Sequence, residues 1–277
     1  MKHRTIDQIV SPMATSDGAG VKMLRAIGTP SLDHMDPFLL LDMFGSEKGT
    51  DYIAGFPDHP HRGFETVTYM LAGKMRHRDN AGNEGLLETG GAQWMTAGRG
   101  LIHSEMPEQT DGLMKGFQLW VNLPADQKMI APRYQDLSPD DIPSKELDGI
   151  GTLKVIAGVA FGVTGPVSKI VTKPLFLDLD MKPHAEIEIP IPKGQTSFLY
   201  IFEGKMHLDG ETIETNRLVT LEDGEVVSIT AGSKGARFIL LAADPIKEPI
   251  ARYGPFVMNT QEEIYQAFDD FRAGKFG

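Results

Sequence analysis

Short apolar runs alternate with polar, glycine-containing turns along most of the chain. Thr66-Val67-Thr68-Tyr69-Met70-Leu71 and Ser197-Phe198-Leu199-Tyr200-Ile201-Phe202 are runs of β-branched and aromatic residues of strand length. Between such runs lie Ser16-Asp17-Gly18, Asn80-Ala81-Gly82, Gly90-Gly91, Asp209-Gly210 and Asp223-Gly224, where glycine permits the backbone conformations that reverse a chain. Many short strands broken in this way predict an all-β fold, an antiparallel sandwich or barrel. One segment departs from the pattern. Thr260 and Glu263 are spaced as a capping box, and Ile264, Phe268 and Phe271 fall on one face before Gly274. This predicts a helix over 260–273, packed on a barrel wall.

The two halves of the chain resemble each other. Tyr69-Met70-Leu71-Ala72-Gly73-Lys74-Met75 lines up with Tyr200-Ile201-Phe202-Glu203-Gly204-Lys205-Met206 at an offset of 131. Thr96-Ala97-Gly98 lines up with Thr230-Ala231-Gly232 at an offset of 134. Two matches in order favour two copies of one β-domain. The stretch from Pro124 to Pro143 carries four prolines and few apolar pairs, and reads as the connection. The expected division is therefore 1–135 and 136–277.

Composition narrows the chemistry. With no cysteine among 277 residues, disulfides, thiolate metal sites and thiol catalysis are excluded, so a metal would rest on His, Asp or Glu. The formal charge is −11 and no basic run of five occurs, which argues against direct nucleic-acid binding but leaves protein partners open. No apolar run approaches the ~18 residues that span a bilayer, and the opening MKHRTIDQIVSP is too polar for a secretory signal. A cytoplasmic, monomeric protein without membrane contact is expected.

His59-Pro60-His61 places two imidazoles at i and i+2, on one face of an extended chain. His103-Ser104-Glu105 repeats the spacing with a histidine and a carboxylate. If the pairs converge inside a barrel, three neutral nitrogens and one anionic oxygen suit Fe(II), Mn, Co, Ni, Cu or Zn alike. Glu65 shares the strand face of His61, so local geometry leaves it open as the carboxylate ligand. His77, within Arg76-His77-Arg78-Asp79, reads as solvated. His3, His34, His184 and His207 have no second ligand at useful spacing and read as surface or hydrogen-bonded histidines. Gly98-Arg99-Gly100 opens like a dinucleotide fingerprint, but His103 stands at the third glycine and no helical pattern follows.

The strings His59-Pro60-His61-Arg62-Gly63-Phe64-Glu65-Thr66-Val67-Thr68-Tyr69 and Thr96-Ala97-Gly98-Arg99-Gly100-Leu101-Ile102-His103-Ser104-Glu105 resemble the signature of the pirins, and Tyr253-Gly254-Pro255-Phe256-Val257-Met258-Asn259-Thr260 resembles their C-terminal segment. The resemblance covers essentially the whole chain. It implies two tandem cupin barrels, jelly-roll-like, of which the first binds iron. It implies His59, His61, His103 and Glu105 as ligands, since pirins take the Glu two residues after the third histidine, whereas general cupins use one shortly after the first pair, here Glu65. It further implies a quercetin 2,3-dioxygenase-like activity that opens flavonols with O₂, with Glu105 as general base. Animal pirin is a nuclear, iron-dependent coregulator of transcription, so the alternative implied is a redox-sensitive regulator acting through protein partners.

The internal alignment carries its own expectation for the second barrel. At the two offsets, His59, His61, His103 and Glu105 fall on Pro190, Pro192, Arg237 and Ile239, none of which holds a transition metal. One divalent metal per chain, Fe(II) by the resemblance, is expected within 1–135.

Overall fold

A computed structural model describes all residues 1–277 and divides them into two compact units. The first unit comprises 13–140 together with 246–277; the second comprises 1–12 together with 141–245. The chain is built from antiparallel strands, with one α-helix, Gln261–Arg272, near its end. No helix is long and apolar enough to cross a membrane.

In the first unit, a seven-stranded sheet runs in the order Arg133–Leu137, Ala92–Thr96, Phe64–Ala72, Met114–Asn122, Phe38–Ser46, Val21–Ile27 and Met13–Asp17. A four-stranded sheet runs in the order Phe56–His61, Leu101–Pro107, Met75–Asp79 and Glu84–Leu87. The second unit repeats this order. Its sheet runs Ile6–Val10, Arg217–Leu221, Thr196–Leu208, Val226–Ala243, Leu175–Met181, Gly151–Ala157 and Ser144–Leu147, with Glu186–Pro190 and Glu211–Ile213 paired to the two long strands. Each long strand serves where the first unit has two separate strands, turning at register shifts between Ile201 and Glu203 and between Gly204 and Met206.

The termini are exchanged between the units, which changes the division expected at 135/136. Ile6–Val10 pairs with Arg217–Leu221, and Arg4, 3% exposed, donates from Nη1 to the Gln195 carbonyl and the Ser197 hydroxyl, and from Nη2 to the Pro192 carbonyl. The C-terminal segment joins the first unit instead. Phe256, Met258, Ile264, Ala267 and Phe276 form one buried cluster against Ile102. The helix is capped as the sequence predicts: the Thr260 hydroxyl accepts from Glu263 N, and the Glu263 carboxylate accepts from Thr260 N.

Strand pairing also corrects the register of the internal repeat. His103 lies opposite His59, and Pro107 opposite Met75. In the second unit Ala231 lies opposite Met206, the counterpart of Met75, and Val227 lies opposite Ile189. The positions equivalent to His59, His61, His103 and Glu105 are thus Ile189, Ile191, Val227 and Ile229, rather than Pro190, Pro192, Arg237 and Ile239. All four are at most 1% exposed and belong to one apolar core. A one-residue slip along a strand turns its side chains to the opposite face, so pairing decides the register where a short match of sequence does not. Arg237 is instead bonded through Nε and Nη2 to the two Asp178 oxygens, at 3.2 and 2.8 Å.

Candidate metal centre

His59 and His61 end the strand Phe56–His61, and His103 lies on the adjoining strand Leu101–Pro107. Alternation turns both members of the first pair to one side, and antiparallel pairing sets His103 beside them. The ring centroids of His59 and His103 are 4.4 Å apart, those of His59 and His61 4.7 Å, and those of His61 and His103 5.1 Å. One nitrogen from each lies within 4.8 Å of the others.

The hydrogen bonding of these rings fits a metal. Nδ1 of His59 lies 2.8 Å from the Pro57 carbonyl, which calls for the proton on Nδ1 and leaves the Nε2 lone pair free. Nδ1 of His61 and both nitrogens of His103 are buried without a hydrogen-bond partner. Such orphaned atoms cost about 1–3 kcal/mol each unless something meets them. Burial, followed by the neighbouring imidazoles, holds His61 and His103 well below the usual histidine range, so both rings remain neutral. Neutral imidazoles converging on one point are a donor set for a transition metal. His61 is packed in turn by Phe64 and Trp120, with centroids at 5.1 and 5.4 Å.

The turn after His61 depends on a glycine. Gly63 has φ +86°, and a Cβ there would lie 2.0 Å from the Val257 carbonyl oxygen. Its own carbonyl accepts from the buried Nζ of Lys128, which also donates to Asn122 Oδ1 and to the Val257 carbonyl. Burial pulls this ammonium down to about 7.

The two candidate carboxylates have different surroundings. Glu105 lines the same cavity as His59 and His61, and is 3% exposed. Its Oε1 lies 2.9 Å from the Thr68 hydroxyl, and its Oε2 accepts from Gln118 Nε2 at 3.2 Å. Glu65, equally buried, accepts from the Thr96 hydroxyl at 2.7 Å and does not line the cavity. Burial raises its carboxyl above the usual range.

Thr68, Gln118 and Trp120 escape a reading of histidine and acid spacing. For Gln118 the signal is a polar residue standing between Phe117 and Leu119. His77, by contrast, is a correction. It is 5% exposed, with Nε2 2.6 Å from Gln93 Nε2 and its ring stacked on Tyr134. The strand Met75–Asp79 alternates, turning Met75 and His77 inward while Arg76 and Arg78 point outward. Among the other histidines, His3, His34 and His207 bond to Ser228, Asp33 and Thr212, and His184 is exposed.

The cavity over the histidines has a volume of about 670 Å³. Leu40, Phe44, Phe56 and Trp120 give it an apolar wall, while Arg25, Asp42, Gln118 and Arg252 supply polar groups. That size and mixture suit a small aromatic ligand.

The Pirin family model matches residues 20–121, and that of the Pirin C-terminal cupin domain matches 176–277. A pirin-like protein of Caulobacter vibrioides is 48% identical over 277 residues, covering 100% of both chains. The chain belongs to the pirin family. As a pirin it has the bicupin fold: the crystal structure of quercetin 2,3-dioxygenase from Acinetobacter baumannii superposes with a TM-score of 0.92 at 33% identity, covering 99% of each chain. A bacterial pirin of Escherichia coli solved in complex with nickel(II) shares the fold, with a TM-score of 0.69 at 18% identity over 86% of this chain and 99% of that one.

Proposed function

We infer that this pirin is a metal-dependent dioxygenase of the quercetin 2,3-dioxygenase type. The observation that carries this reading is the convergence of His59, His61 and His103 beneath a partly apolar cavity that Glu105 also lines. His59, His61 and His103 are assigned as ligands of one divalent metal, with Fe(II) the first choice, and Glu105, which lies outside their 4.8 Å cluster, is assigned as the fourth on the family pattern. The name of the Acinetobacter structure and the nickel of the Escherichia coli structure support an oxygenase and a metal of this class. Held by these residues, a divalent metal would supply Lewis-acid activation of the flavonol 3-hydroxyl and the redox chemistry toward O₂.

The protein's part is positioning and proton transfer. Glu105 takes the hydroxyl proton, while Thr68 and Gln118 fix its carboxylate. Leu40, Phe44, Phe56 and Trp120 pack the ligand rings and exclude water. In the overall reaction, both atoms of O₂ enter the opened product and one ring carbon leaves as carbon monoxide with its own oxygen, which balances.

The test is oxygen consumption and carbon monoxide release with quercetin, on protein first stripped of metal and then reloaded with Fe(II). Turnover that appears only on reloading supports the reading. No turnover after reloading with Fe(II), or with Mn(II), Co(II), Ni(II), Cu(II) or Zn(II) in its place, overturns it and favours regulation through a protein partner.

A further inference from the structure

The cavity holds two guanidinium groups, and they are not equivalent. Arg25 is paired with carboxylates: its Nε and Nη2 meet both Asp42 oxygens at 2.8 and 2.7 Å, and Nη2 also meets Asp17 at 2.9 Å. Arg252 has no carboxylate in contact. Its Nη1 donates to the Leu39 carbonyl at 3.0 Å, and its Cζ lies 4.9 Å from the Trp120 ring centroid.

Trp120 is also the ring against which His61 packs, at 5.4 Å between centroids. One indole therefore has a candidate metal ligand and a cation without a carboxylate partner both within 5.4 Å of its centroid. Burial, followed by the charge of Arg25, lowers the Arg252 pKa from its ordinary value, with Asp33, Asp42 and Asp17 acting in the opposite direction. The Arg252 guanidinium thus lines the cavity with a backbone carbonyl, and no carboxylate, as its hydrogen-bond partner.

We propose that Arg252 is an anion-binding subsite that selects aromatic ligands carrying a carboxylate, or another anionic group, at the end remote from the metal-binding oxygens. This rests on the metal-centre reading above and narrows its substrate class. The aromatic body would lie along Trp120, its hydroxyls at the histidines and its anion at the guanidinium. Guanidinium recognises a carboxylate through parallel N–H donors, a geometry that a neutral substituent does not satisfy.

The test uses Ni(II)-loaded and metal-free protein with two small probes, 3,4-dihydroxybenzoate and 4-methylcatechol, and reads Kd by calorimetry. The quantity compared is the ratio of the two affinities, so that their intrinsic difference in metal binding cancels between variants. Wild type should favour the carboxylate probe, and Arg252→Gln should lower that preference by roughly tenfold. Arg252→Lys, which keeps the charge, should retain part of it, and thermal melting of both variants confirms that the C-terminal segment remains docked. An equal loss for both probes in Arg252→Gln would make Arg252 a purely structural clamp on Leu39 and overturn the proposal. If neither probe binds wild type more tightly with Ni(II) than without, the metal-centre reading itself fails, and this subsite falls with it.

Discussion

Arg62, the residue immediately after His61, donates from Nη1 to the Asp270 carboxylate of the C-terminal helix at 2.9 Å. Its Nε donates to the Arg99 carbonyl, and its guanidinium lies over the Phe276 ring at 4.4 Å. A buried cation thus joins the histidine strand to a helix more than two hundred residues later in the chain.

Removing the acid from this pair should be costly. Asp270→Ala leaves Arg62, 4% exposed, without its charged partner and should cost about 2 kcal/mol in chemical denaturation. The pair also sets a pH dependence. The Arg62 hydrogen bond, followed by that of Lys275, holds the Asp270 carboxyl at about 2, against an ordinary value of 3.8. A carboxylate with a depressed folded pKa stabilises above its unfolded value and loses that contribution as pH falls through the folded one. Between about pH 4 and 2 wild type should therefore lose stability relative to Asp270→Ala, and parallel curves for the two would contradict the coupling.

His61→Ala removes one of three converging imidazoles while leaving the strand pairing intact. Metal content by elemental analysis should fall sharply, with the β-sheet circular dichroism unchanged. Retention of wild-type metal would refute the assigned centre.

The two buried glutamates should separate cleanly. Glu105→Gln preserves shape but removes the charge and the base, so metal affinity should fall by roughly tenfold or more and quercetin turnover should be lost. Glu65→Gln should leave metal binding close to wild type, because its carboxyl faces Thr96 rather than the cavity. The reverse order of severity would move the carboxylate ligand to Glu65.

Lys128→Met strips three buried acceptors, on Gly63, Asn122 and Val257, of one shared donor. A loss of about 3 kcal/mol is expected. Burial lowers Lys128 from 10.5 to about 7, so between those values the unfolded chain binds a proton that the folded chain lacks. Wild-type stability should rise with pH across that window, and the rise should be shallower in Lys128→Met. Identical slopes would show that the folded lysine keeps its proton.

In the second unit, Ile189, Ile191, Val227 and Ile229 leave no donor at the equivalent positions. Titration with Ni(II) should saturate at one equivalent per chain, and that equivalent should vanish in His61→Ala. A second tight equivalent would contradict this arrangement.

Much of this was written locally. Strand and turn follow from runs of β-formers broken by glycine, and the helix end from Thr260 and Glu263, because those signals act over a few residues. The two-residue spacing of His59 with His61, and of His103 with Glu105, fixed which side chains share a strand face. What the sequence left undecided is which strands lie side by side. The polar string around His77 concealed an inward-facing residue, and the repeat suggested prolines where pairing places isoleucines. Arg252 and Asp270 lie far along the chain from Trp120 and Arg62, which they meet, and Arg4 is equally far from the Pro192–Ser197 segment it holds. Those relationships are set by burial and by backbone pairing between distant segments, and a local pattern specifies the period of a strand but not its neighbour.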